Sequence, residues 1–367
     1  MTVYLIQVFL ILILSAGFHP ASNIKGRKYF FILIFMLLTV VSGYRGYTVG
    51  ADTKIYVRLF ENIESLPVVN PRFEPGFVLY LKLLNFVSDE PGYMLFFSSF
   101  FCIGSSLYLA YHFSKKPTIS VLLYILLGHY FSQMNTMRQS VAMSIVIWAF
   151  VILLDDNKKR IIKNKMMSAV LIVLAGSFHT IAILAFIPWV LNLRLERSDE
   201  ESKMTTQFAV FYTLFIAIIV YSAYSLIMRL AMSFFPSYAH YFSGIWSDSN
   251  YSASLLNTLM YLTFLVVGGI VLRGRRLTNV QRFSVIMLSL SIVFQVLSMR
   301  MEIWGRATGM FSIYALVIWV PEFLNEIKLL TNRWIVESTV VLSSLTYMLI
   351  VLIYRPEWTM VVPYVFR

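Results

Sequence analysis

This 367-residue chain predicts an all-α, polytopic integral membrane protein, and three features carry that prediction. Hydrophobic residues make up 59% of it. Charged residues make up only 13%, where a soluble domain carries about 25%. The apolar residues also fall in unbroken runs that approach the roughly 20 needed to cross a bilayer. Backbone groups in lipid must pair internally, so spans are helices or a closed barrel. The runs lack the strict alternation of barrel strands, which leaves helices.

The runs fall at 2–18, 28–43, 93–113, 118–134, 138–154, 166–192, 206–235, 254–272, 281–299, 307–322 and 334–354. A shorter stretch, 76–88, is too brief to be read as a span. The first run lacks a basic leader and reads as a retained span rather than a cleaved signal. No internal repeat or second domain is visible, so 1–367 reads as a single transmembrane domain.

The net charge of +12 would suggest nucleic acid in a soluble protein. Here the basic residues cluster between runs, as cytoplasmic loops do, and no nucleic-acid partner is expected. Lys25, Arg27 and Lys28 follow the first run, Lys115 and Lys116 the third, and Lys158–Lys165 the fifth. Arg273, Arg275, Arg276 and Arg282 lie between the eighth and ninth. Placing these loops inside requires run 166–192 to leave and return to one face, most simply as two short helices broken near "GSFHT", 176–180. About 11–12 transmembrane helices result, with short re-entrant or broken pieces. Segments 43–92, 135–138, 176–180, 236–253, 300–306 and 355–367 are then outside.

The pointed polar residues gather in those outer segments. Asn135 is a plausible helix N-cap, with Arg138 and Gln139 just behind it in "MNTMRQSVA". A guanidinium at a helix start suits an anion, above all a phosphate. Arg300 and Arg306 flank Glu302 in "SMRMEIWGRATG", and Arg45 opens "RGYTVGAD". His179, at the predicted break, is a proton carrier or a satisfied membrane histidine. Asp52 and Glu74 are solvated carboxylates or general bases. Two acids so far apart are a weak metal signature, and no metal or cofactor is expected. The single cysteine, Cys102, excludes an internal disulfide. Tyr56 and the cluster "SYAHYFSGIWSDSNY", with Tyr241 and Trp246, offer rings on which sugars stack.

The order Arg45-Gly46, Gly50, Asp52-Thr53, Tyr56, Glu74-Pro75-Gly76, Asn135-x-x-Arg138-Gln139, His179 and Arg306 resembles the EpsG family, which groups with Wzy-type polymerases of capsule, exopolysaccharide and O-antigen. The resemblance implies a GT-C-like glycosyltransferase in the bacterial cytoplasmic membrane, its active site facing outward. Undecaprenyl-pyrophosphate-linked oligosaccharides would be both donor and acceptor, with a chain-length regulator protein as a further partner. The reading of the residues fits that chemistry, with pyrophosphate contacts from Arg45, Arg138, Arg300 and Arg306, and glycan contacts from Asn135, Gln139, Tyr56, Tyr241 and Trp246. The resemblance implies a base among Asp52, Glu74 and His179, with Asp52 first. Thr180 departs from the small Ser-Ala-like continuation expected after the histidine. A lipid-linked sugar flippase or an O-antigen-ligase-like transferase are the alternatives. A flippase would more often show repeat symmetry and midplane charges.

Overall fold

Local chemistry starts and stops the helices. The computed structural model describes residues 1–367 apart from 71, 156–159, 198–205 and 235–250. In chain order its α-helices are α1 (Thr2–Phe18), α2 (Ile24–Gly43), α3 (Thr53–Glu61), α4 (Pro75–Val87), α5 (Pro91–Phe113), α6 (Pro117–Leu126), α7 (His129–Asn135), α8 (Met137–Leu153) and α9 (Ile161–Phe178). A 3-10 turn, Thr180–Ala185, leads to α10 (Phe186–Arg197). Then follow α11 (Thr206–Ser222), α12 (Tyr224–Phe234), α13 (Tyr251–Val271), α14 (Asn279–Ser298), α15 (Trp304–Tyr314), α16 (Val320–Asn325) and α17 (Leu330–Tyr354). Pro75, Pro91 and Pro117 each occupy a first helical position, where a missing N–H costs nothing. Asn23 caps α2 by accepting from the Gly26 N–H at 3.0 Å. Thr278 and Gln281 form a reciprocal capping box on α14.

Among the described residues, six helices are long and apolar enough to cross a membrane, and shorter apolar helices of 10–17 residues accompany them. The chain is a multi-pass helical membrane protein. It divides into two compact units, Met1–Trp189 with Thr331–Arg367, and Val190–Leu330.

In the first unit, α5 packs against α2 and α8, and α8 against α9. The seam is built from small residues: Ser98, Ser99, Cys102, Ser105 and Ser106 of α5 are all buried. Small side chains let helices approach closely in lipid, and their hydroxyls tie neighbours together. Ser105 accepts from the Trp148 indole at 3.0 Å, and Ser106 from Gln133 at 2.8 Å. One end of this unit is basic: Arg27 donates to the carbonyls of Ala110, Tyr111 and Ser114, closing the end of α5, and Lys116 pairs with Glu337 of α17. The other end gathers the 44–52 loop, α3, α4, α7 and the segment after α17. It is the end that the basic-loop rule assigns to the outside.

In the second unit, α14 packs on α11, α13 and α15. A π-helical turn, Ala315–Trp319, joins α15 to α16. Trp319 is fully buried and donates to the Phe264 carbonyl at 3.0 Å. Its ring lies where a Cβ on Gly268 would sit, so α13 needs glycine there.

The break in run 166–192 is present: α9 ends at Phe178, His179 is extended (φ −157°, ψ 121°), and the 3-10 turn packs against α8 and α9. Two other runs differ from expectation. Run 118–134 is two helices, because Gly128 adopts a left-handed φ of 86° that ends α6. Run 206–235 bends by 72° after Ser222. Beyond the bend Ser225, Arg229 and Ser233 recur every fourth residue and are exposed. This amphipathic face suits an interface better than a continued span.

Candidate functional site

Glu74 organises the polar end of the first unit. Pro75 keeps it extended (φ −67°, ψ 141°) as the residue before α4. Its Oε2 accepts from Arg138 Nη1 at 2.6 Å. Its Oε1 accepts from the Thr180 N–H at 3.1 Å and the Thr180 hydroxyl at 3.2 Å. One carboxylate therefore joins the start of α4, the start of α8 and the break after α9. Sequence reasoning missed Thr180, although its departure from the expected small residue was the available signal. The carboxylate accepts from three donors on two other elements and so ties them to the start of α4.

Arg138 is held on one side only. Its Nη1 also donates to the Arg72 carbonyl at 3.2 Å, and the guanidinium carbon lies 5.5 Å from the Phe73 ring centroid. Both bonds leave from Nη1, and Nε is buried without a partner. The Nε–Nη2 edge therefore carries no acceptor among the described residues. That edge is a planar fork of the kind that takes a phosphate or carboxylate in bidentate fashion.

His179, beside Thr180, accepts the Ile181 N–H at Nδ1, 3.3 Å away. A neutral imidazole in this arrangement carries its proton on Nε2 and presents a donor there.

Asp52 stands at the N-terminus of α3, half-buried, where the helix dipole favours an anion. The peptide just before it is fixed from a distance: the Ala51 N–H donates to Asn135 Oδ1 at 2.8 Å. Gly50 makes this approach possible, with φ +97° and no room for a Cβ against Thr53, Asn135 and the Met134 carbonyl. Asn135 thus differs from its expected role. It is the last residue of α7 rather than the cap of α8, whose own N-cap is Thr136.

The EpsG family model matches residues 28–366. The chain belongs to the EpsG family. This is a family of Wzy-like polysaccharide polymerases, and the match runs through both compact units. The chain matches no curated protein and no solved structure.

Several residues expected at the site of an EpsG-family protein sit elsewhere. Arg45 is 1% exposed. It donates through Nη1 to the Ser42 carbonyl at 2.6 Å and to Ser99 at 3.3 Å, and through Nη2 to the Met134 carbonyl at 3.1 Å. Burial pushes it down to about 10, so it remains charged at neutral pH. This is a clamp between the ends of α2 and α7, with no open face for a pyrophosphate. Tyr56 is 7% exposed and packs edge-on against Phe77 in a cluster with Phe60, Val78 and Met137. It is a core ring rather than a stacking platform. Gln139 is buried on α8 and donates to the Met143 sulfur at 3.6 Å.

Arg300 and Arg306 belong to the second unit. Arg300 is exposed and lies over the Tyr221 ring at 4.3 Å. Arg306 is half-buried in the first turn of α15. Tyr241 and Trp246 lie outside the described residues.

Proposed function

We propose that this protein is a glycosyltransferase of the bacterial cytoplasmic membrane that polymerises undecaprenyl-pyrophosphate-linked oligosaccharide repeat units on the outer face. Family membership supports a polysaccharide polymerase. The observation that carries the finer reading is Arg138, held by Glu74 at 2.6 Å with its Nε–Nη2 edge uncommitted. A pyrophosphate is the leaving group such a fork would stabilise.

In the proposed reaction, a hydroxyl on the non-reducing end of one repeat unit attacks the anomeric carbon of another unit's carrier-linked sugar. The new glycosidic bond forms as the bond from that carbon to the phosphate oxygen breaks. The electron pair leaves on undecaprenyl pyrophosphate, whose charge Arg138 stabilises. The hydroxyl proton passes to a base, for which Asp52 is first choice. That choice rests on the resemblance to GT-C enzymes, and Glu74 and His179 are the other candidates. His179 is assigned a donor role through Nε2. Arg306, on family resemblance, and Arg300, as a second cation beside it in the sequence, remain proposed phosphate ligands. A chain-length regulator remains a proposed partner.

Reconstitution with the lipid-linked repeat unit from producing cells tests the reading. A ladder of longer glycans, absent with Arg138→Ala, is expected. Repeat units that change leaflet without growing would instead identify a flippase. Transfer of single units to a non-repeat lipid acceptor would identify a ligase.

A further inference from the structure

The loop that carries Asp52 is held by a part of the chain more than 300 residues away. The Gly46 N–H donates to the Val365 carbonyl at 2.7 Å, and the Arg367 N–H returns a bond to the Tyr44 carbonyl at 2.9 Å. These bonds form an antiparallel bridge between Arg45 and Phe366. Farther along, the Gly50 N–H donates to the Met360 carbonyl at 2.8 Å. The next N–H, that of Ala51, goes to Asn135. The two successive peptides before Asp52 are therefore fixed by different elements.

The segment of residues 359–367 is itself anchored at several points. Tyr364 donates to the Val41 carbonyl at 2.5 Å, and Tyr4 donates to the Val361 carbonyl at 2.9 Å. Arg367 Nη1 reaches Glu90 Oε1 at 3.1 Å and the Tyr47 hydroxyl at 3.3 Å. Tyr47 in turn donates to the same Glu90 oxygen at 2.7 Å. The guanidinium lies over the rings of Tyr44 and Tyr47. It fills the space a Cβ on Gly92 would take. Met360 is held at φ 48°, a left-handed conformation that a non-glycine residue keeps only when its surroundings impose it.

We propose that residues 359–367 are a positioning strap for the Asp52 loop and that Arg367 is its anchoring residue. The strap touches the loop's backbone and both of its flanks, so it sets where Asp52 stands without contacting substrate. The role in turnover rests on the polymerase reading above, whereas the hold on the loop does not.

A spin label on Lys54→Cys, in lipid nanodiscs, reads the first turn of α3, which continues directly from the Asp52 loop. Lys54 is exposed, and native Cys102 is buried and leaves the label site unique. Arg367→Ala and Gly92→Ala are two routes to the same displacement. The second leaves Arg367 intact and places a better helix former in the first turn of α5. Both are expected to raise label mobility. Both are expected to lower kcat for polymer formation from the lipid-linked repeat unit about three- to tenfold, with KM within about twofold. Arg367→Lys, which keeps the charge beside Glu90, is expected to restore most of the loss. Unchanged mobility in both variants would overturn the strap. Raised mobility with unchanged kcat would overturn its positioning role. If the wild-type protein polymerises nothing, the polymerase reading falls and label mobility alone decides whether the strap holds the loop.

Discussion

Glu74 and Arg138 are 64 residues apart in the chain, and their side chains meet at 2.6 Å. The two are 16% and 20% exposed, sheltered enough that removing one partner leaves the other with an uncompensated charge. Glu74→Gln is expected to destabilise the protein by about 2–3 kcal/mol and to reduce polymer formation at least about tenfold. Reversible SDS unfolding measures the first. A double-mutant cycle with Arg138→Gln should give a coupling of about 1–3 kcal/mol. Additive single effects would show that the pair contributes nothing in the native protein.

Arg45 behaves differently because its two Nη groups end on the Ser42 and Met134 carbonyls and the Ser99 hydroxyl, with no carboxylate among them. Arg45→Lys cannot reach Ser42, Ser99 and Met134 from one point charge. Unmet buried acceptors cost about 1–3 kcal/mol each. The expected outcome is a lower yield of monodisperse protein, with turnover per folded molecule nearly unchanged. A well-folded Arg45→Lys protein that makes no polymer would return Arg45 to the list of substrate ligands.

These two arginines also mark how far the sequence could be read. The helical membrane class was legible because lipid leaves so few options for an apolar run. The break at His179 was legible through charge bookkeeping on the flanking loops. The bend after Ser222 had a signal, the four-residue spacing of Ser225, Arg229 and Ser233, hidden inside a long apolar run. Arg45 and Arg138 look alike in sequence, each an arginine in a polar outer segment next to an apolar run. What separates them is the acceptor each one meets, and those acceptors are backbone carbonyls or a carboxylate 64 residues distant. The hold of Met360, Val365 and Arg367 on the 44–50 loop is made largely by backbone groups. Every residue type carries those groups, so no side-chain pattern announces it.

The Glu90 clasp predicts a pH response. The Tyr47 hydroxyl, the Gly92 N–H and Arg367 hold the Glu90 carboxyl below its ordinary value, with Tyr47 the largest influence. A depressed carboxylate favours the native arrangement above the ordinary carboxyl range, and this contribution is lost as pH falls through the lower folded value. The Lys54→Cys label should therefore become more mobile, reversibly, on acidification below about pH 4.5. In Glu90→Gln it should be mobile already and respond little. An acid response equal in both proteins would assign the loosening to other carboxylates.

Gly76 gives a test in which two physical effects have opposite signs. It follows Glu74-Pro75 in the first turn of α4, where helix propensity alone would favour alanine by about 1 kcal/mol. A Cβ there, however, would meet the Ser177 side chain and stand 2.8 Å from the Ser177 carbonyl oxygen. Gly76→Ala must push the start of α4 away from the end of α9, the junction that Glu74 closes through Thr180. The expected result is a loss of about 1–3 kcal/mol, the usual cost of overpacking, together with reduced polymer formation. Adding Ser177→Gly should not restore either, because the carbonyl remains. Gly76→Ala protein that unfolds at the wild-type SDS fraction or later would show that α4 can shift freely, and the grip of Glu74 on Thr180 would then have to tolerate that shift.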